Sequence, residues 1–382
     1  MPEAVIVEAV RSPVGRRNGT LSHMRPDDLA GHVLKALVDR AGIDPGVVED
    51  VVMGCVTPIG EQGLNIARVA GFIAGFPVEV CGVQLNRMCG SSQQAIHFAA
   101  MEVETGDMDV TIGAGVESMS RVTMGSDGGT FSEKLMARFN LVPQGISAEM
   151  IADKWNISRL DMERFALESH RRAARAIDNG YFKSQITPVD VALPEGTTVT
   201  LENDEGVRRD TTLEKMASLQ PAFIPDGKIT AAVSSQISDG SAAVLLMSRE
   251  AAKKHGLRPR ARFCARAVVG VDPVMMLHGV IPATKKVLAR AGLGIGDIDV
   301  VEINEAFASV VLAWEKEIKP PDMTKVNPNG GACALGHPLG ATGAILMTKL
   351  LYELERTGGR YGLQVMCIGH GMSTATIIER LE

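Results

Sequence analysis

Aromatic side chains are scarce in this 382-residue chain, with two Trp, three Tyr and ten Phe, 4% in all. Glycine, at 40, outnumbers them, a balance that suits tight turns and close-packed layers more than a core built on rings. Cysteine is sparse too. Six are spread along the chain and none forms a C-x-x-C pair, which excludes a disulfide framework and leaves any important cysteine as a thiol in a reducing compartment. No His or Cys spacing suggests a metal site, so no metal is expected. Neither a Walker A loop nor a G-x-G-x-x-G turn opening a helix is present. No run reaches the roughly 18 apolar residues of a membrane-spanning helix. A net charge of −6 offers nothing to nucleic acid or an acidic membrane surface. The opening "MPEAVIVEAVRSP" lacks a basic stretch and reads as a first strand, and "ERLE" at the other end is no peroxisomal address. With 45% hydrophobic and 22% charged residues, a soluble, cytoplasmic globular protein of two or three domains, or one doubled domain, is expected.

What is present includes an internal repeat. "LKALVDRAGIDPGVVEDVVMG" (34–54) matches "TKKVLARAGLGIGDIDVVEIN" (284–304). Lys35, Arg40, Ala41 and Gly42 recur as Lys285, Arg290, Ala291 and Gly292, and both segments run on into Asp-Val-Val. Each reads as helix, Gly stop, then apolar strand. Later, small residues open a helix (90–105 and 340–357), followed by a strand expected to end in Gly-x-Gly (113–115 and 369–371). This order implies two α/β halves of similar design with buried, mostly parallel sheets. The stretch 120–238 breaks the symmetry. It carries a flexible loop "GSDGGTF", a helix over 157–180 with a capping-box start at Ser158 and Asp161, and the polar, turn-rich "PEGTTVTLENDEGVRRD". It is read as an insertion packed over one half, where it would cover a binding site.

Four places could carry chemistry. Cys89, in "QLNRMCGSSQQAI", stands at or just before a helix start, where free N–H groups and the dipole favour a thiolate; a packed core cysteine is the alternative. His337, in "NPNGGACALGHPLGATGA", sits on a glycine-rich loop before another helix and is either an acid–base group or a structural cap. Cys367 ends a strand before Gly369-His370-Gly371, a turn able to aim N–H groups into a cavity. Asn304 and Glu305 follow the strand "DVVEI", at the edge where α/β sheets gather ligands. Cys55, Cys81, Cys264 and Cys333 are left as structural, and "SHRRAAR" (169–175) as a solvated helix face.

Together "NRMCGSS", "ITAAVSSQISDGSAAVLLMS", "NEAFAS", "GGACALGHPLGATGA" and "CIGHGM" resemble the thiolase family, and so do "VIVEAVRSPVGRRNGTL" and "GAGVESMS". The resemblance covers essentially the whole chain. It implies the thiolase fold: α/β, two pseudo-repeated βαβαβαββ halves in a five-layer α/β/α/β/α arrangement with an inserted loop domain. The expected division is 1–119 plus 239–261, then 120–238, then 262–382. It also implies a homodimer or homotetramer that takes coenzyme A and acyl-CoA thioesters as substrates, with no permanently bound cofactor. The implied activity is CoA-dependent cleavage of a 3-ketoacyl-CoA to acetyl-CoA and a shortened acyl-CoA. In this reading Cys89 is the acylated nucleophile, His337 its base and Cys367 the second acid–base group. Asn304 holds a water for one oxyanion hole, and the N–H groups of Cys89 and Gly369 form the other. Ser235 lies beside the pantetheine arm.

Two positions depart from the family pattern. His370 stands where the last motif usually has glycine, and its side chain is expected to turn away from the cavity. Gln236 stands where many biosynthetic members have glycine, which favours a degradative type over an acetoacetyl-CoA thiolase. A ketosynthase-like condensing enzyme and a non-enzymatic acyl-CoA-binding protein are the remaining alternatives. The second cysteine argues against the first of these, and the retention of all four reactive residues against the other.

Overall fold

The computed structural model describes residues 2–382. The first part of the chain runs β1 (Ala4–Arg11), β2 (Gly15–Arg16), α1 (Pro26–Ala41), β3 (Asp50–Gly54), α2 (Ile66–Ile73), β4 (Cys81–Leu85), α3 (Ser91–Thr105) and β5 (Val110–Ser118). The middle holds α4 (Glu133–Met136), α5 (Gln144–Lys154), α6 (Arg159–Asp178), β6 (Val189–Ala192), β7 (Thr198–Leu201) and α7 (Leu213–Ala217). There follow β8 (Ser238–Ser248), α8 (Arg249–Lys254), β9 (Ala261–Gly270), α9 (Val280–Ala291), β10 (Val300–Ile303) and α10 (Ala308–Ile318). The last elements are α11 (Ala332–Leu335), α12 (Thr342–Thr357), β11 (Tyr361–Ile368) and β12 (Met372–Arg380).

The repeat is visible in the backbone. α1 ends at Gly42 (φ 68°) and α9 at Gly292 (φ 67°), each in the left-handed region that a Cβ disfavours. In each case the cap N–H returns to the helix, to Val38 and Asp39 in one half and to Leu288 and Ala289 in the other. β3 and β10 follow. The strand order is β10-β11-β12-β9-β1-β8-β5-β3-β4, with β2 on β8. Reading outward from the β1–β9 seam, β8, β5 and β3 in one half match β12, β11 and β10 in the other. The counterpart of β4 shrinks to a single parallel bridge between Val301 and Val326.

The sheet is not mostly parallel. Only β3–β4, β3–β5 and β10–β11 pair in parallel; the pairs of β8, β12 and β1 are antiparallel. Strands covered by helices on both faces read as unbroken apolar runs whichever way they point, so pattern alone does not give direction. The glycine pair also falls differently in the two halves. Residues 369–371 form the β11–β12 turn, but Gly113 and Gly115 lie inside β5. There a Cβ on Gly113 would stand 2.6 Å from the Ile96 Cα, and one on Gly115 would stand 2.2 Å from the Gly340 carbonyl oxygen. These glycines bring α3 and the loop before α12 down onto the sheet.

α3 and α12 form the middle layer. Ala95, Ile96 and Ala99 of α3 share a core with Leu350, Leu351 and Leu354 of α12 and with strand residues of both halves. Each buried Leu contributes roughly 2 kcal/mol of burial free energy. α1, α2 and α8 cover the other face of the first half, and α9 and α10 that of the second. Ile151 of α5 and Ala166 of α6 join the core of the second half, so the middle stretch packs on that side. Arg11 pins it to β1. Fully buried, it is held bidentate by Asp204 at 2.7 and 3.0 Å, donates to Gln185 at 2.8 Å, and lies over the Phe182 ring. The helix with Ser158 as N-cap forms with its full capping box. The turn-rich stretch after it closes a β6–β7 hairpin instead of staying irregular. The "SHRRAAR" run is not a solvated face throughout: Ser169 and His170 are buried, and Arg172 and Arg175 donate to the carbonyls of Val326 (2.7 Å) and Pro328 (2.9 Å).

Candidate active site

Cys89 occupies the turn that feeds α3. Ser91 fixes this turn: its hydroxyl donates to the Met88 carbonyl at 2.6 Å and accepts the Arg87 N–H at 2.9 Å. Met88 is held at φ 46°, a left-handed conformation that a non-glycine residue adopts only when its surroundings impose it. The Cys89 side chain is buried among Met119, Leu339, Leu346 and Ile368. The backbone N–H groups of Gly369 and Cys89 and the Gln144 side chain favour its thiolate, but burial outweighs them and pushes the thiol up to about 11. The helix-start argument alone points the other way. Loss of water around sulfur wins, and the resting group is a neutral thiol.

His337 is brought to the site by the loop between α11 and α12. Its backbone N–H donates to Ser238 Oγ at 2.7 Å and to the Gln236 carbonyl at 3.0 Å. The ring Nδ1 lies 2.5 Å from Thr342 Oγ1, and that hydroxyl donates its only proton to the Pro338 carbonyl at 2.8 Å. Thr342 therefore accepts from Nδ1–H, which leaves Nε2 free to take a proton. Burial lowers the imidazole to about 4, so it is neutral at pH 7. Nε2 faces Asn304 Nδ2 at 3.4 Å, and the same amide nitrogen is 3.8 Å from Cys367 Sγ. Burial, then the neighbouring Cys89, pushes the Cys367 thiol up to about 12, against donation from Asn304 and the Ala306 N–H. Asn304 Oδ1 is buried and finds no partner among the described residues, a feature suited to holding a water or a substrate group.

Thus Cys89, His337, Cys367, Asn304 and Gly369 meet, carried by the start of α3, the loop before α12, the end of β11, the end of β10 and the turn after β11. Ser235 stands apart. Its N–H donates to the Ala306 carbonyl at 2.9 Å, and it lines a cavity of about 800 Å³ with Arg16, Arg17, Arg208, Phe223 and Gln236. Gln236 joins that cavity to the site, because its carbonyl holds His337 while its side-chain amide bonds the carbonyls of Gly206 and Cys333, each at 2.9 Å. A cavity of about 810 Å³ between α6 and α10 is lined by Glu305 but by none of the five converging residues. His370 turns outward, as expected. It is exposed at φ 58°, with its ring edge-on to Phe131 at 5.7 Å.

Two profiles described as thiolase N-terminal and C-terminal domains match residues 4–250 and 257–380. The chain belongs to the thiolase family. It is 51% identical to the steroid 3-ketoacyl-CoA thiolase of Mycobacterium tuberculosis, over all of this chain and 95% of that one. It is 44% identical to the 3-ketoacyl-CoA thiolase of Aliivibrio fischeri over the full length of both, and 44% identical to the beta-ketoadipyl-CoA thiolase of Pseudomonas aeruginosa over 99% of each. The crystal structure of the Bacillus anthracis acetyl-CoA acetyltransferase superposes with a TM-score of 0.93 at 39% identity, covering 100% of this chain and 99% of that one. This thiolase is an acyltransferase that cleaves 3-ketoacyl-CoA with CoA.

Three further residues of this site were not singled out in the sequence, although Thr342 and Glu117 lie inside blocks that carry the resemblance. Thr342 sets the imidazole tautomer. Gln144 approaches Cys89 from α5. Glu117, fully buried in β5, accepts the N–H groups of Val56 (2.8 Å), Thr57 (3.1 Å) and Gly340 (2.8 Å) and so fixes the His337 loop. Burial pushes its carboxyl up while these donors hold it down. A buried acid inside an apolar strand, "GAGVESMS", was the one available sign for Glu117.

Proposed function

We propose that thiolysis here runs through an acyl-Cys89 intermediate with His337 and Cys367 as separate proton carriers. The support is one observation: the single amide nitrogen of Asn304 lies 3.4 Å from the unprotonated Nε2 of His337 and 3.8 Å from the Cys367 thiol, with the neutral Cys89 thiol neighbouring Cys367. Cys89 sulfur attacks the 3-keto carbon and its proton passes to His337 Nε2. The C2–C3 bond then breaks, acetyl-CoA leaves as its enolate, and the Cys367 thiol protonates the C2 carbanion. Cys367, now a thiolate, takes the proton of incoming CoA, whose sulfur attacks the Cys89 thioester and releases the shortened acyl-CoA, while His337 Nε2 returns its proton to the departing Cys89 sulfur. The enolate oxygen would sit against His337 and a water on Asn304. The tetrahedral oxyanions would sit against the N–H groups of Cys89 and Gly369, where one donor is typically worth about 3 kcal/mol. Ser235 and the arginines of the neighbouring cavity suit the pantetheine arm and phosphates of CoA. No permanently bound cofactor enters this scheme, and a free-thiol nucleophile fits the cytoplasm. The inserted loop domain would be 120–238, on a body of 1–119 with 239–261 and of 262–382.

A homodimer or homotetramer is part of this reading. β4 is an edge strand whose outer side pairs with no strand among the described residues, with its Val83 45% exposed and Phe98 and Met101 of α3 each 41% exposed. A second copy pairing along β4 would cover them. The chemistry is tested by intact-mass and peptide-mass measurement after mixing with 3-ketoacyl-CoAs of graded length. An acyl adduct on Cys89 is expected, and its absence with every chain length would end the proposal. Cys367→Ala should still carry the acyl mass after long incubation but turn over about 100-fold or more slowly.

A further inference from the structure

Gln144 lies outside every motif that carries the family resemblance. It is the first residue of α5, directly after Pro143. Its amide nitrogen lies 2.9 Å from the point where a Cβ on Gly369 would stand, and the Met88 sulfur lies at the same distance from that point. Gln144, Gly369 and Met88 therefore close on one spot beside Cys89. The Gln144 amide and the Gly369 N–H both favour charge on the Cys89 sulfur.

The element that delivers this amide is fixed. A Cβ on Gly145 would stand 2.2 Å from the Phe223 ring, so the start of α5 is pressed against it. Phe223 is in turn edge-on to Phe307 at 5.8 Å. Further along, Ser309 donates to the Ala148 carbonyl at 3.1 Å, and Glu149 accepts the Ile229 N–H at 2.8 Å. A polar group on so braced a helix is held in place before reaction, and donors so held stabilise developing charge most.

We propose that Gln144 is a catalytic residue, whose side-chain N–H, held against Gly369, donates to the Cys89 sulfur when that sulfur is ionised and to the oxygen on the attached acyl carbon once that carbon is bound. It acts as a third donor beside the N–H groups of Cys89 and Gly369. This rests on Cys89 being the nucleophile. No proton leaves Gln144 in any step. Its amide reinforces the thiolate during attack and the alkoxide in both tetrahedral states, and relaxes when the thioester forms.

The test is the rate of Cys89 alkylation by iodoacetamide between pH 6 and 10, read by peptide mass so that other thiols do not interfere. Wild type is compared with Gln144→Met, similar in length but without a donor, and Gln144→Glu, with thermal unfolding as the check on folding. Gln144→Met should alkylate about tenfold more slowly at fixed pH, equivalent to one pH unit. Gln144→Glu should be slower still, because a carboxylate beside the sulfur repels the thiolate. A rate for Gln144→Met equal to wild type overturns the proposal. Equal slowing by both variants also overturns it, since shape alone would then explain the effect. Failure of the acyl-Cys89 reading appears separately, as a wild-type enzyme that alkylates normally yet takes no acyl group from ketoacyl-CoA.

Discussion

Thr342 carries more of the site than its motif position suggests. With its proton committed to the Pro338 carbonyl, it forces the tautomer in which His337 Nε2 is free. Thr342→Val keeps the shape and removes this acceptor. The Nδ1 proton then has no partner, the ring samples the wrong tautomer, and kcat should fall roughly 10–100-fold with little change in KM. Steady-state kinetics at several pH values check this, and an unchanged kcat would show that the hydroxyl does not set the tautomer. At this scale the sequence was informative where short blocks coincide: Cys89, His337, Cys367, Asn304 and Gly369 all lie in motifs and all converge. Thr342 and Gln144 were not readable in the same way. Their effects depend on which atom faces which across elements far apart in the chain, and the spacing of residue types does not encode that.

Among the elements, α3 and β5 show how tightly the site depends on packing. Gly115→Ala would place a methyl 2.2 Å from the Gly340 carbonyl oxygen and 2.5 Å from Ser92 Cβ, so either β5 or the His337 loop must move. Overpacking of this kind costs about 1–3 kcal/mol. Gly340 also donates to Glu117, so displacement reaches His337. A Tm lowered by several degrees together with reduced kcat is expected; loss of stability with full activity would show the strand yields instead.

On α3, His97 is buried with Nε2 2.7 Å from Thr376 Oγ1, and burial lowers it to about 3. Its folded value lies below the 6.5 of the free imidazole, so its stabilising contribution is complete above pH 6.5 and is lost as pH falls toward 3. Between pH 6.5 and 5 the loss is roughly 2 kcal/mol. Glu102, raised to about 7 by burial, acts in the opposite sense, adding stability as pH falls through that value. Comparing denaturant unfolding of wild type and His97→Gln at pH 7 and 5 isolates the histidine, and a variant with undiminished acid sensitivity would remove it as a cause. Helix starts and stops at this scale were legible, because caps and glycine stops are local. Strand ends inside "VTIGAGVES" and the β6–β7 hairpin were not, since what decides them is the helix or strand packed alongside.

For the whole molecule, the duplicated design was visible from four matched residues, whereas strand direction was not. The unpaired β4 edge leads to a prediction about assembly. Val83→Lys puts a charge on that edge and should shift the enzyme toward monomer in sedimentation velocity at micromolar concentration. An unchanged sedimentation coefficient would place the contact between copies elsewhere.

The seam between β1 and β9 is joined by only two register pairs, Val5 with Arg262 and Ile6 with Ala261. Cys89 belongs to the first half of the chain, and His337, Asn304 and Cys367 to the second. His337 follows Cys89 by well over half the chain, so the reactive groups meet only after a very long loop has closed and both half-sheets have settled against α3 and α12. The Cys89 thiol thereby serves as a built-in clock for folding. During dilution from denaturant, helix should return first, and the slow reappearance of native Cys89 reactivity should mark the moment when the two halves have become one molecule.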